Sequence, residues 1–204
     1  GEERDLKFNI KNFQKYNKKI IYLIYDEISD KIKDIKINDN EEEKSKKYIL
    51  NAYHRENGQR NFISKGLDGA ADKDVILISD VDEIPNLQNV NFNQIDEKFI
   101  FFKQEMFYYK FNLKLPNFIW VGTKCCRKKN LHSPQWLRNI KDRKYPMYRL
   151  DTLLSKTKYI DIKFIDNGGW HFTNMKTPKQ LKHKLESYLH HREFDMNPLS
   201  EKNI

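Results

Sequence analysis

Three carboxylates stand within four residues, at Asp80, Asp82 and Glu83, directly after the apolar run 75–78. Such acids repel one another unless a cation or a positively charged ligand lies among them. Magnesium-type sites combine one or two protein carboxylates with substrate phosphates. The stretch therefore predicts a metal–phosphate site, in which Asp82 binds the metal and Asp80 assists through a water or binds a donor-sugar hydroxyl. The alternative interpretation is a solvated acidic turn at the end of a core strand.

A second stretch with chemical potential is Gly168-Gly169-Trp170-His171, which follows the predicted strand 159–165. Paired glycines allow a tight backbone and a close approach to a ligand. We predict a loop here that holds Trp170 and His171 at a strand end, with His171 as a further metal ligand. The alternative is a hydrogen-bonded histidine packed beside an aromatic side chain.

Charged residues on a predicted helix over 48–67 supply the third candidate group. Glu56 and Arg60 are four residues apart and share a helix face. The functional interpretation is that Arg55 or Arg60 points toward a nucleotide, and the structural alternative is a surface ion pair. We expect the end of this helix to pack on the strand 75–78.

The elements that must position these residues are predicted from hydrophobic pattern. The run 75–78 lacks polar alternation, which is typical of a strand buried on both faces of a parallel sheet, with the acids at its carboxyl end. The segment 30–47 is highly charged and predicts an exposed loop, whereas Thr177-Pro178-Lys179-Gln180 predicts a capped helix start. An α/β fold is expected, with further strands predicted over 20–25, 99–102, 121–126 and 159–165.

Size and charge limit the class of protein. The chain has 204 residues and a formal net charge of +9, which suits one domain and anionic partners. Its basic section, Arg127 to Lys144 with Trp136 interleaved, would suit nucleic acid, but the lysines are scattered through the whole chain and favour a solvated basic surface without a specific nucleic-acid site.

No apolar run reaches the length of a membrane span. Adjacent Cys125 and Cys126 do not make a zinc site and favour a reducing compartment, so a cytoplasmic location is expected.

Four blocks then resemble a known family, glycosyltransferase family seventeen, the β-1,4-mannosyl-glycoprotein 4-β-N-acetylglucosaminyltransferases. Asp80-Val81-Asp82 has the Asp-x-Asp form typical of GT-A glycosyltransferases. The resemblance covers nearly the whole chain and lies in His54-Arg55-Glu56-Asn57-Gly58-Gln59-Arg60-Asn61, Ser79-Asp80-Val81-Asp82-Glu83-Ile84-Pro85, Trp120-Val121-Gly122-Thr123 and Gly168-Gly169-Trp170-His171-Phe172.

The resemblance implies a GT-A fold, a Rossmann-like mixed sheet flanked by helices. It also implies inverting transfer of N-acetylglucosamine from UDP-GlcNAc to a glycan or other hydroxyl acceptor, with manganese or magnesium as cofactor. Donor-binding residues are then expected at Asp80, Arg55, Arg60, Asn57, Gly169 and Trp170, and metal ligands at Asp82, Asp80 and His171. Glu83 is expected to anchor the turn before Ile84-Pro85.

The chain departs from the family in two respects. Family members carry a strand–helix–strand unit upstream of the segment that resembles 1–8. Either the sequence lacks that unit or part of the uridine pocket is built differently. We expect residues 1–204 to form a single glycosyltransferase domain that is incomplete at its N-terminus and shortened at its C-terminus. A lysine- and asparagine-rich chain without Asn-x-Ser/Thr acceptors favours a microbial or viral relative. A cytoplasmic location, in the host cell if the chain is viral, is then expected over a Golgi one.

An inverting reaction needs a general base on the acceptor hydroxyl. The sequence leaves three candidates for that base open: Glu105, Glu193 and Asp166. Two alternatives to a transferase also remain at this stage. One is a metal-dependent nuclease or phosphotransferase acting on nucleic acid, and the other is a catalytically inactive module that binds a nucleotide sugar.

Overall fold

Two long antiparallel strands, β3 (Phe99–Tyr108) and β4 (Lys114–Arg127), form the centre of the molecule. The structure is a computed structural model that describes residues 8–187. Within that range six strands form one mixed, strongly curled half-barrel sheet. Its remaining strands are β1 (Val75–Ile78), β2 (Glu83–Pro85), β5 (Ile162–Ile165) and β6 (Gly169–Thr173). The order across the sheet is β1-β4-β3-β6-β2, and β5 pairs with β3.

Three α-helices accompany the sheet in the described range: α1 (Glu41–Phe62), α2 (Pro134–Asn139) and α3 (Pro178–Ser187). The mixed α/β class predicted from the sequence is confirmed. The capped start of α3 is confirmed as well, because Thr177 and Gln180 each accept a hydrogen bond from the backbone N–H of the other. No helix among residues 8–187 is long and apolar enough to cross a membrane.

Strand β1 exists as predicted, but its predicted surroundings are wrong. It pairs antiparallel with β4, with Val75 opposite Arg127, and forms one end of the sheet order. Only Ile76 and Ile78 are fully buried, so the burial alternates along the strand. An end strand in an antiparallel pair needs one buried face, whereas the sequence pattern had suggested two.

The predicted Gly-Gly-Trp-His loop is instead strand β6, so that prediction is wrong. The strand runs parallel to β3 and antiparallel to β2, which places Trp170 opposite Ile84 and His171 opposite Glu83. Gly169 has φ +122°, and a Cβ there would collide with the backbone of β2 at Pro85 and its neighbours. The glycine therefore allows close strand pairing.

The first apolar run, 20–25, was predicted to be a strand and forms no strand in the structure. It packs against α1, where a Cβ at Gly58 would collide with the Tyr25 side chain. The absence of a side chain at Gly58, in the middle of the helix, thus allows the segment 20–25 to lie close to α1. Apolar β-favouring residues predict an extended backbone, but they do not specify a hydrogen-bonding partner.

Helix α1 begins seven residues before the predicted start, so the predicted exposed loop over 30–47 is wrong for 41–47. Asn40 and Glu43 form a capping box that satisfies the first backbone N–H groups. The predicted apolar positions Leu50 and Tyr53 are exposed, and Asn51 is the buried position because it bonds both backbone groups of Lys33.

The core lies on both faces of the sheet. One cluster joins β1, β3, β4 and β5 to α2, and a Phe99–Trp136–Tyr159 group of rings extends it. Its buried members are Ile76, Ile78, Phe99, Phe101, Cys126, Leu137, Ile140 and Ile162. A smaller cluster of Ile100, Phe102 and Cys125 packs on the opposite face. The core thus fixes α2 beside the end of β1, where the acidic residues lie.

Candidate functional site

The acidic stretch forms a closed turn between β1 and β2. The Glu83 N–H donates to the Asp80 carbonyl at 3.0 Å, and the Asp80 N–H donates to the Glu83 Oε2 at 3.0 Å. The Ser79 hydroxyl donates to the Glu83 carbonyl at 2.9 Å and lies 2.7 Å from the Thr123 hydroxyl on β4. The turn is thus held by its own backbone and by the neighbouring strand.

Glu83 is the buried centre of the site. Its side chain is 1% exposed, and its carboxylate accepts hydrogen bonds from the Arg138 guanidinium, the Asp80 N–H and the Trp120 indole N–H, the last at 2.7 Å. Burial raises the pKa of Glu83, but the hydrogen bonds and charge of Arg138, with the indole, outweigh burial and hold the pKa below its usual value. The expectation that Glu83 anchors the turn is confirmed by these contacts.

Asp80 lies between two arginines. Its Oδ1 is 3.1 Å from Arg60 on α1, and its Oδ2 is 3.0 Å from Arg138 on α2. Arg60 also pairs with Glu56 at 3.0 Å, as their spacing predicts, and donates to Gln135. The repulsion among the acids is therefore relieved largely by two guanidinium groups, each of which binds one oxygen of the partly exposed Asp80 carboxylate.

Arg138 is a site residue that the sequence pattern did not predict, since the sequence marked it only as one member of the basic section 127–144. It lies on α2, which starts at a Ser133 cap and is anchored by buried Leu137. Burial lowers the pKa of Arg138. The hydrogen bonds to Glu83 and the charges of the nearby acids outweigh burial and raise the pKa above its usual value, so the group stays charged. The Ser133-Pro134 helix start was a readable signal for α2, but nothing local indicated that Arg138 faces a turn 55 residues away.

Asp82, in the same turn, pairs with His171 of β6. The Asp82 Oδ2 lies 3.5 Å from the His171 Nε2, and the backbone N–H of Phe172 donates to the Asp82 carbonyl at 2.9 Å. His171 is buried and its ring lies 5.0 Å from the Trp120 ring. The adjacent imidazole lowers the pKa of Asp82 despite the opposing effect of burial. The structure thus brings together two of the three predicted metal ligands.

The protein offers few further ligands for a cation beside Asp82 and His171. Among residues 8–187, no group of three or more histidine, cysteine or acidic side chains is arranged to hold a metal ion. The His171 Nδ1 is buried without a hydrogen-bond partner, and Asp80 is held by arginines. A carboxylate oxygen and an imidazole nitrogen fit a divalent cation as a two-residue set, with phosphate oxygens and water as further ligands.

A cleft of about 590 Å³ opens beside the turn. Its walls are the segment Tyr22 to Tyr25, the part of α1 from Glu56 to Phe62 with Ile63 directly after it, and the turn residues Ser79, Asp80 and Val81. Val81 is fully exposed, and Asp82 follows it. The volume lies within the range of small-molecule sites. Predicted donor residues Arg60 and Asp80 both lie on this wall.

Four other predicted donor residues lie away from the cleft. Arg55 is exposed and Asn57 is half-buried on α1, and neither belongs to the cleft wall. Gly169 packs against the backbone of β2. Trp170 is partly exposed and alternates with His171 along β6, so it lies on the opposite face of the sheet.

The candidate bases are also separated from Asp82. Glu105 stands opposite Trp170 in the β3–β6 register and pairs with Lys114 at 2.5 Å, so it shares the face away from His171. Asp166 lies in the turn before β6 and pairs with Lys103 at 2.8 Å. Glu193 lies outside the described residues. Neither described candidate is brought to the Asp82–His171 pair.

Comparison of the chain with protein-family models, with curated proteins and with solved structures found no match.

Proposed function

We propose that this protein is a metal-dependent glycosyltransferase of the GT-A type that binds a nucleoside-diphosphate sugar in the cleft beside the acidic turn. UDP-GlcNAc is the proposed donor, and a glycan or other hydroxyl compound is the proposed acceptor. The observation that carries the proposal is the meeting of Asp82 and His171 at 3.5 Å from segments 89 residues apart, next to a turn whose Asp80 lines the cleft. The donor and the inverting outcome rest on the sequence resemblance.

The shape and lining of the cleft support a nucleotide. Aromatic side chains of Tyr22, Tyr25 and Phe62 offer an apolar wall on which a base can pack. Arg60 and Asp80 supply a guanidinium and a carboxylate on the same wall. A carboxylate is suited to accept hydrogen bonds from ribose hydroxyls, and a guanidinium to bind phosphate oxygens. The cleft therefore offers groups for each part of a nucleoside diphosphate.

Asp82 and His171 would hold the divalent cation, manganese or magnesium. When bound there, the cation would supply Lewis-acid neutralisation of a diphosphate leaving group. Arg138 and Arg60 keep the turn in one conformation by binding Asp80 and Glu83. In this proposal Asp80 is not a direct metal ligand, because both its oxygens are bound by arginines. Its role is to hold the turn and to face the donor.

A nucleotide-sugar-binding module without catalysis is the second candidate. The observation that favours it is the placement of Glu105 and Asp166, which both pair with lysines and are not brought to the Asp82–His171 pair. An inverting transfer requires a base near the acceptor hydroxyl. The binding site of the first proposal would then remain, but the sugar would not leave the diphosphate.

A thermal-shift screen with nucleotide sugars tests binding, and a donor-hydrolysis assay separates the two candidates. Binding to the folded state raises the melting temperature. We expect UDP-GlcNAc to stabilise the protein with manganese and to do so much less with a chelator present. Release of free sugar or UDP would support the transferase, and metal-dependent stabilisation without release would support the binding module. No shift with any uridine-diphosphate sugar would refute both.

A further inference from the structure

The loop between α2 and β5 holds a group of apolar side chains in water. Within residues 141–158, the exposed fractions are 86% for Met147, 80% for Tyr148, 75% for Leu150, 78% for Leu153 and 93% for Leu154. Scattered exposed apolar residues need no explanation, but a contiguous group marks a surface that meets another molecule or a membrane.

The loop is held in shape by polar contacts at its base. The Lys141 N–H donates to the Thr157 carbonyl at 2.8 Å, and the Trp136 indole donates to the Lys156 carbonyl at 2.8 Å. Asp151 accepts from Arg149 at 2.6 and 2.8 Å and from Lys158 at 2.8 Å. These contacts use the polar groups of the loop and leave its apolar side chains outside the fold.

The same loop is strongly basic. Residues 141–158 contain six basic and two acidic side chains, a net charge of +4. Asp151 is paired with Arg149 and Lys158, and Arg143 and Arg149 both lie 5.7 Å from the centre of the Tyr145 ring. The basic residues are Lys141, Arg143, Lys144, Arg149, Lys156 and Lys158. The loop thus combines exposed apolar side chains with a net positive charge.

We propose that the loop 141–158 docks on the surface of an anionic lipid bilayer. Its leucines and Met147 would enter the boundary between headgroups and acyl chains, and its cations would lie at the lipid phosphates and carboxylates. Basic and apolar side chains in one surface segment are the combination that interfacial membrane binding requires. This proposal does not rest on the proposed glycosyltransferase activity.

Charge argues for a lipid partner over other occupants. A second copy of this chain would bring two surfaces of the same positive sign together, which is unfavourable. Nucleic acid would match the charge, but four of the five exposed side chains are leucine or methionine, which give no stacking platform for bases. An anionic bilayer satisfies both the cations and the apolar side chains.

Vesicle flotation tests the proposal with the whole protein. We expect binding to vesicles of phosphatidylcholine with phosphatidylserine, weaker binding to phosphatidylcholine alone, and loss of the difference at high salt. Leu153→Ser with Leu154→Ser should weaken binding at least about tenfold, because two leucine side chains no longer leave water. Arg143→Glu with Lys144→Glu should weaken binding to the anionic vesicles by at least about tenfold.

The matched control is Ile28→Ser with Ile37→Ser, two isoleucines that are equally exposed outside the loop. We expect this control to bind vesicles as the unchanged protein does. The melting temperatures of all variants should coincide, because every changed side chain is exposed. Equal binding by the leucine variant, or no binding by the unchanged protein, would overturn the proposal. So would a dimer in sedimentation velocity that the leucine variant abolishes, because the surface would then meet a second copy.

Discussion

Arg138 donates two parallel hydrogen bonds to Glu83, from Nη1 to Oε2 at 2.8 Å and from Nη2 to Oε1 at 2.9 Å. The two side chains are 11% and 1% exposed. The Arg138 Nη1 also donates to the Gly122 carbonyl. A Cβ added at Gly122 would collide with the side chains of Gln104, Glu83 and Trp120. This pair joins α2 to the turn that carries Asp80 and Asp82, so the shape of the candidate site depends on it.

Replacing Arg138 with Met should destabilise the protein strongly. The change leaves Glu83 buried without its counter-ion, which typically costs about 3–5 kcal/mol. Urea unfolding measures the loss. The control is Lys65→Met, which breaks an exposed ion pair with Glu27 and should change stability by less than about 1 kcal/mol. A loss for Arg138→Met as small as that of the control would show that the pair does not hold the turn.

Acid should destabilise the protein through Glu83. Its pKa in the folded state lies below the ordinary 4.5, so the unfolded chain binds the proton first. The contribution of Glu83 to stability is therefore complete above pH 4.5 and is lost as the pH falls from 4.5 through the folded-state pKa. The free energy of unfolding against pH should fall less steeply in this window for Glu83→Gln than for the unchanged protein. Parallel curves would contradict this account.

Alkaline pH should stabilise the protein through Lys124. Its ammonium donates to the Arg138 and Ile140 carbonyls at 2.9 and 2.5 Å at the end of α2, and burial lowers its pKa from 10.5 to about 8. Between these values the unfolded chain binds more protons, so this group makes stability rise with pH. The stability difference between the unchanged protein and Lys124→Met should therefore shift in favour of the unchanged protein from pH 8 to 10.5. A constant difference would refute the shifted pKa.

Gly169→Ala should disturb the pairing of β2 with β6. The added Cβ would meet backbone atoms of Ile84, Pro85 and Asn86, and φ is +122°. We expect a loss of at least about 1–3 kcal/mol in urea unfolding. Gly69→Ala is the matched control, because a Cβ there meets nothing within 4 Å. Equal stability of the two variants would show that β2 can move away without cost.

Local signals in the sequence predicted much of the secondary structure. The capping box at Thr177 and Gln180 is formed by residues only three positions apart, so the sequence predicted it directly. The pairing partners of short strands could not be predicted, because β1 and the run 20–25 are both unbroken runs of β-favouring apolar and aromatic residues. Only the first finds a ladder partner, in β4, and the second lies on α1. Composition fixes an extended backbone, whereas partners depend on the whole fold.

The candidate site was predictable in part for the same reason. The Glu56–Arg60 spacing predicted their ion pair, and the acid cluster predicted a need for positive charge. The source of that charge was not predictable, since Arg138 reaches the turn from a short helix far along the chain. The sequence also did not predict which side chains of β6 share a face of the sheet, because the paired glycines suggested a loop. In the strand, Trp170 and His171 point to opposite faces.

Calorimetric titration with UDP-GlcNAc in the presence of manganese measures whether Asp82 holds a metal for a nucleotide sugar. Asp82→Asn keeps the shape of the side chain and removes its charge. We predict at least about tenfold weaker donor binding for this variant, a change of about 1.4 kcal/mol, and unchanged binding for Asp166→Asn, whose exposed carboxylate pairs with Lys103. Donor affinity in Asp82→Asn equal to that of the unchanged protein would contradict the account.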